Sequence, residues 1–225
     1  MRAPHTTPTE RSHRPTPTGQ ATRPPVVLLV QGGIASGKST VTGLLVRQGA
    51  THLDCDRIAH EELDQPEVAD ALRARFGPGV FDPAGKVSRP ALGAVVFSDP
   101  EALRSLEALV HPRVRERVQE ALARERRPQG EPRAVVVIDA AVASKMRLAG
   151  RYDLVLFVKA SDEVRRRRAL GRGWAEGELE RREAQQRPLD QAEREADAVV
   201  RNDGDLQETE THVQRFWSER VQPLR

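Results

Sequence analysis

Val26-Val-Leu-Leu-Val-Gln-Gly-Gly-Ile-Ala-Ser-Gly-Lys-Ser-Thr40 decides the fold. Its first part, Val26–Gln31, is a continuous apolar run of the kind that fills a strand buried on both faces of a parallel sheet. Its last part opens a helical pattern, Ser39-Thr-Val-Thr-Gly-Leu-Leu-Val-Arg47. Between them Gly32 and Gly37-Lys38-Ser39 complete the spacing G-x-x-x-x-G-K-S, in the strand-to-helix context its chemistry requires. Gly32 and Gly37 permit turns that point successive backbone N–H groups inward, and the helix N-terminus adds partial positive charge. An anionic phosphate is thus held mainly by backbone.

Gly33, Ile34, Ala35, Ser36, Gly37, Lys38, Ser39 and Thr40 are therefore the candidate contacts to the phosphates of ATP. Lys38 is placed to reach the β- and γ-phosphates as a point charge, which makes it a candidate catalytic residue. The Ser39 hydroxyl is placed to bind a Mg²⁺ bridging the same oxygens. Of the 36 basic residues only Lys38, Lys86, Lys145 and Lys159 are lysine. A lysine retained inside this loop fits a geometric need for a compact ammonium.

Working outward, apolar runs recur at Ala134–Ile138 and Leu154–Val158, with weaker ones at Ala50–Leu53 and Ala198–Val200. Helical patterns lie between them, so the chain reads as βαβ units: an α/β fold of the P-loop kinase type, with a parallel sheet of about five strands flanked by helices. The stretch before the Ala134 run is too long for one crossover helix. Residues 57–130, punctuated by Pro66, Pro78, Pro90, Pro100, Pro112 and Pro128, read as a helical insertion that binds the acceptor. Residues 161–186 read as a helical lid, and 26–56, 131–160 and 187–225 as the nucleotide-binding core.

Two further groups carry chemistry. Asp54-Cys55-Asp56 follows the second strand, and the C-terminal strand ends of a parallel sheet share the edge that bears the phosphate loop. One of these carboxylates is the candidate general base for a hydroxyl acceptor while the other helps hold the metal's waters, although an N-cap role before Arg57–Leu63 competes. Asp139 ends an apolar run, the arrangement that places an acid near Mg²⁺. In Ser161-Asp-Glu-Val-Arg165-Arg-Arg-Arg168-Ala-Leu-Gly-Arg172, the spacing sets Arg165, Arg168 and Arg172 on one helix face. That stripe either closes over ATP and neutralises charge during transfer, or is a solvated surface.

Composition excludes several classes. The net charge of +3 comes from the first 25 residues, where Arg2, Arg11, Arg14 and Arg23 oppose one acid, Glu10, so it argues for neither a nucleic-acid nor a membrane partner. One cysteine, Cys55, makes no internal disulfide, and no apolar run of about 18 residues could span a bilayer; a cytoplasmic setting is expected. Residues 1–25 are proline- and threonine-rich and read as a disordered tail.

With these residues in hand the chain resembles the dephospho-coenzyme A kinase family, from about Val26 to the C-terminal helix. The likeness includes the glycine-rich loop, Asp54-x-Asp56, Phe76-Gly77, Ser88-Arg89-x-x-Leu92, Val96-Phe97 and, most specific, Leu106-Glu107-x-x-x-His111-Pro112. Later come Arg168-x-x-x-Arg172, Arg181-x-x-x-Gln185 and Ala196-Asp-x-Val-Val-x-Asn202-x-Gly204. The resemblance implies phosphorylation of the ribose 3′-hydroxyl of dephospho-coenzyme A by ATP, with Mg²⁺ as cofactor. It implies a catalytic carboxylate at Asp56, ATP contacts from Arg168 and Arg172 with Arg168 acting in catalysis, Asn202 beside the base, and Asp54, Arg89 and His111 on the acceptor side. One stretch departs: where the family reads Asp-x-Pro-Leu-Leu-Phe-Glu, this chain has Asp139-Ala-Ala-Val-Ala-Ser-Lys145, which alters the acceptor pocket in shape at Ala141 and in charge at Lys145. Ala35 replaces a frequent glycine. A kinase for another small-molecule hydroxyl, such as a shikimate-like one, and a nucleotide-binding regulatory protein without transfer activity are the competing readings.

Overall fold

The computed structural model describes residues 21–139, 152–184 and 188–225. Residues 1–20, the altered stretch with Ala141 and Lys145, and Gln185 lie outside the described residues.

Five strands form one parallel sheet: β1 (Val26–Gly32), β2 (Thr51–Asp54), β3 (Val135–Asp139), β4 (Leu154–Lys159) and β5 (Ala198–Arg201), in the order β2-β3-β1-β4-β5. The pleat divides β1 between two cores, as its unbroken apolar run requires. Val26, Leu28 and Val30 pack with Val41, Leu44 and Leu45 of α1 (Lys38–Arg47) and with Val213, Phe216 and Trp217 near the C-terminus. Val27 and Leu29 face the opposite core, built from Ile58, Leu72, Leu92, Val114 and Val118 of the segment between β2 and β3.

That segment holds α2 (Cys55–Leu63), α3 (Pro66–Phe76), α4 (Arg89–Ser98) and α5 (Pro100–Arg124). Pro66, Pro90 and Pro100 sit in the first turns of α3, α4 and α5, where a missing N–H costs nothing. Pro112 behaves differently from its expected role as punctuation, because it lies inside the 25-residue α5. The helix continues because Val110, Val114 and Val118 keep a four-residue apolar period across it. Their burial outweighs the one backbone bond that proline removes.

After β4 come α6 (Asp162–Gly171), α7 (Glu178–Glu183) and α8 (Leu189–Arg194), and α9 (Leu206–Phe216) follows β5. The attached chain starts earlier than composition suggests. Thr22–Arg23 pairs antiparallel with Arg127–Pro128, and the Arg133 guanidinium donates to the carbonyl oxygens of Pro24 and Pro25. Among the described residues no helix is long and apolar enough to cross a membrane.

One ion-pair cluster binds α2 to α5. Glu62 is 5% exposed; its Oε1 lies 2.9 Å from Arg117 Nη1 and its Oε2 3.8 Å from Arg113 Nη1, while Arg117 Nη2 reaches Glu61 Oε2 at 2.9 Å. Removing Arg117 strands a largely desolvated carboxylate. We expect Arg117→Ala to lower the unfolding free energy by about 1–3 kcal/mol in urea titration. Arg215→Ala, which breaks an exposed pair with Glu219, should change it by about 0.5 kcal/mol or less.

Candidate active site

Register brings the sequence-predicted residues to one sheet edge. Asp54 and Asp139 are Cα partners at the ends of β2 and β3, and Asp139 is level with Val30, just before β1 turns into the glycine loop. On the other side Gly32 pairs with Val158, and the Asn202 N–H donates to the Lys159 carbonyl at 2.8 Å.

The loop turns on three left-handed or near-extended positive-φ residues, Gly32 (φ +153°), Ala35 (φ +60°) and Gly37 (φ +92°). Ala35 therefore occupies a conformation in which glycine would be unstrained, at a cost of about 1–2 kcal/mol. Gly37 is the N-cap of α1, and Ser39 and Thr40 lie exposed in its first turn. The Lys38 ammonium curls back to donate to the carbonyl oxygens of Gly32 (2.9 Å) and Gly33 (3.0 Å).

The two acids after β2 part company. Asp54 is the N-cap of α2, its Oδ1 accepting the Arg57 N–H at 2.8 Å, whereas Asp56, the second residue of the helix, is an exposed first-turn carboxylate. The cap competing for this pair thus falls to Asp54 and leaves Asp56 available.

Charges around the cleft are poorly compensated. Burial pushes the Lys38 ammonium below its ordinary pKa, and neighbouring Arg172 and Arg165 add to this although Asp139 and Asp56 oppose it. Asp139 is held above the usual carboxylate value by burial, despite the Lys38 charge. Asp56 is raised by loss of solvation and then by the Asp54 and Asp139 carboxylates. Asp56 is solvent-exposed, so the repulsion from those two acids counts for more there than burial. Lys38, Asp139 and Asp56 are thus close enough to feel one another, yet the attraction between them does not offset the loss of water and the crowding of carboxylates.

The arginine stripe also divides. Arg165 is 5% exposed and bound by Asp162 (2.7 Å) and by Glu183 of α7. Arg168 lies behind the loop: Nη1 donates to the carbonyl oxygens of Ser36 (3.1 Å) and Ala35 (3.4 Å), and Nη2 to that of Asn202 (2.9 Å). Arg172, the C-cap of α6, makes no side-chain hydrogen bond or ion pair among the described residues, and its charge is felt at Lys38. Asn202 is buried with its Nδ2 donating to the Ser36 carbonyl at 2.7 Å. Arg89 is exposed at the first position of α4, and His111 is half-buried on α5. Thr209 and Glu183, which hold Asn202 and Arg165, carry no pattern in the sequence that would single them out.

The family model for dephospho-CoA kinase matches residues 26–208. The chain belongs to the dephospho-CoA kinase family. Dephospho-CoA kinases from Moorella thermoacetica and Leifsonia xyli are 38% and 42% identical to it, over 86% and 83% of this chain and 91% and 94% of theirs. A solved Thermus thermophilus structure superposes with a TM-score of 0.74 at 33% identity, covering 88% of this chain and 99% of that one. The Campylobacter jejuni dephospho-CoA kinase shares the fold, with a TM-score of 0.59 at 23% identity over 86% of this chain and 96% of its own. The resemblance carried by the loop, Asp54-x-Asp56 and His111-Pro112 is therefore borne out: this member of the dephospho-CoA kinase family is a phosphotransferase that uses ATP to convert dephospho-coenzyme A to coenzyme A.

The raised pKa of Asp139 has a measurable consequence for the ligand-free enzyme. A carboxyl whose pKa is higher folded than unfolded favours folding while protonated, and that contribution is lost as pH rises through the folded value. Asp139→Asn should therefore melt at a higher temperature than wild type at pH 7 without nucleotide. The difference should shrink on acidification through the carboxylate range, followed by differential scanning calorimetry.

Proposed function

We propose that Asp56 is the general base of the transfer and that Lys38 and the backbone of residues 33–40 hold the phosphates of ATP. The observation that supports this most is the division of labour after β2. Asp54 is consumed as a helix cap, while Asp56, two residues on, shares the sheet edge with Lys38 and Asp139. In this reading the 3′-oxygen of the acceptor ribose attacks the γ-phosphorus, the bond to the β,γ-bridging oxygen breaks, and the hydroxyl proton passes to a carboxylate oxygen of Asp56. A pKa above the ordinary carboxylate value suits a base that must also release the proton.

The side chains present fit a magnesium ion. Among the described residues no group of three or more acids, histidines or cysteines forms a metal cage, which accords with an ion held chiefly by phosphate oxygens and water. The Ser39 hydroxyl and, through water, Asp139 would hold it, and bound there it would screen the charge of the β- and γ-phosphates. Arg172 is the lid cation free to meet the γ-phosphate, while Arg168 acts on ATP through the loop it braces. Asn202 stands beside the base, and Arg89, His111 and Asp54 lie on the acceptor side, Asp54 through the position it gives to α2. The balanced charge of residues 26–225 and the buried Cys55, whose thiol is pushed up to about 12 by burial, support a cytoplasmic enzyme with neither a nucleic-acid nor a membrane partner.

Turnover of dephospho-coenzyme A with ATP and Mg²⁺, with the new phosphate located by ³¹P NMR, tests these roles. Lys38→Ala should lose about 10²–10³ in kcat, the usual worth of one aimed electrostatic contact. Asp56→Asn should keep ATP binding and lose about 10²–10⁴, whereas Asp54→Asn, which still caps α2, should lose less than about tenfold. The opposite ranking of the two aspartates would reverse their assignment.

A further inference from the structure

Behind the phosphate loop lies a buried polar chain that the reaction itself does not use. Thr209, on the first turns of α9, is 1% exposed, and its Oγ1 stands 2.8 Å from Asn202 Oδ1 and 3.0 Å from the Asp205 carbonyl oxygen. Asn202, 5% exposed, directs Nδ2 to the Ser36 carbonyl oxygen at 2.7 Å. The Ser36 oxygen can only accept, so the amide must present its NH₂ there and its oxygen to Thr209. The threonine hydroxyl is the donor that satisfies this oxygen.

The peptide linking Ser36 to Gly37 is planar and trans, so its C=O and N–H point in opposite directions. A carbonyl drawn outward to Asn202 aims the Gly37 N–H into the loop, where the phosphates bind. We propose that Thr209 is a positioning residue for ATP: its hydroxyl locks the Asn202 amide, which holds the Ser36 carbonyl and thereby keeps the Gly37 N–H pointed at the nucleotide. This rests on the reading of residues 33–40 as the phosphate site. The contact is to phosphate in the ground state as much as in transfer, so its loss acts on ATP affinity rather than on turnover.

Two near-isosteric variants separate this role from simple packing. Thr209→Val keeps the volume and loses the donor, leaving Asn202 Oδ1 buried and unpaired; Thr209→Ser keeps the donor and loses the methyl group. By calorimetric titration and steady-state kinetics, Thr209→Val should raise Kd and KM for ATP about five- to tenfold, with kcat and the acceptor KM within about twofold. Thr209→Ser should bind ATP within about twofold of wild type even if its Tm falls. Asn202→Asp, which turns an oxygen toward the Ser36 carbonyl, is the second probe should the valine variant fold poorly, and should weaken ATP binding at least as much. In an Asn202→Ala background, adding Thr209→Val should change ATP Kd less than about twofold, since the chain is already cut. Wild-type affinity in Thr209→Val, equal loss in both threonine variants, or full multiplication of the two effects overturns the proposal. Lys38→Ala serves as the control: if it binds ATP as wild type does, the loop reading fails, whereas loss there with intact binding in Thr209→Val sinks the Thr209 role alone.

Discussion

Backbone closeness at the glycine turn governs the arrangement around it. A first side-chain carbon at Gly37 would stand 1.9 Å from Asn202 Nδ2, and one at Gly32 would stand 2.5 Å from the Val158 carbonyl oxygen. The turn is therefore wedged between β4 and the residue that ends β5, and both strands must finish level with it. That requirement explains why Gly32 pairs with Val158 and Lys159 with Arg201 in register. It also explains why the polar groups behind the loop, Arg168 and Asn202, donate to the loop carbonyl of Ser36.

The front of the same turn is built on the opposite principle. Among the described residues the Lys38 ammonium donates to the carbonyls of Gly32 and Gly33 alone, and Asp139 and Asp56 are raised rather than lowered in pKa although a lysine is near. Burial outweighs attraction at Lys38 and Asp139, and at Asp56 the neighbouring carboxylates add to it, so charges are crowded together in a poorly solvated cleft. Arg168 and Asn202 behind the loop are paired with backbone carbonyls, whereas the carboxylates of Asp54, Asp56 and Asp139 in front repel one another.

Much of this was legible in the sequence, for reasons that differ from element to element. The three central strands stand out because burial on both faces forces apolar runs such as Val135–Ile138, the edge strands Thr51–Asp54 and Ala198–Arg201 are partly exposed and read more weakly, and the loop stands out because its glycines sit at fixed spacing between strand and helix. Pro112 misleads because a proline is a local signal, whereas α5 is held by burial at Val110, Val114 and Val118 on both sides of it. Asp54 and Asp56 could not be told apart, since either spacing suits an N-cap and only the backbone at Asp54 shows which carboxylate meets the Arg57 N–H. Helical spacing puts Arg165, Arg168 and Arg172 on a common stripe, but their partners come from elements far along the chain: Glu183 for one, the loop carbonyls for the next. Residues 21–25 read as tail because proline and threonine disguise a ladder whose other strand is more than 100 residues away.

The position of Asp56 depends on contacts some way along the chain from the sheet edge. Asp56 rides on the first turn of α2, and the direction of that helix is fixed at both ends by polar contacts: at its start by the Asp54 cap, at its far end by Glu61 and Glu62 pairing with Arg117 of α5. Ile58 and Leu63 pack between them into the core shared with β1 and β3. A rotation of α2 that swung Asp56 away from the sheet edge would have to expose Ile58 and separate Glu62 from both arginines. Each of these costs about 1–3 kcal/mol, so the carboxylate is held by a helix that has one low-energy orientation. The helical segment between β2 and β3 therefore fixes Asp56 from within, close enough to Asp54 and Asp139 to feel their charges.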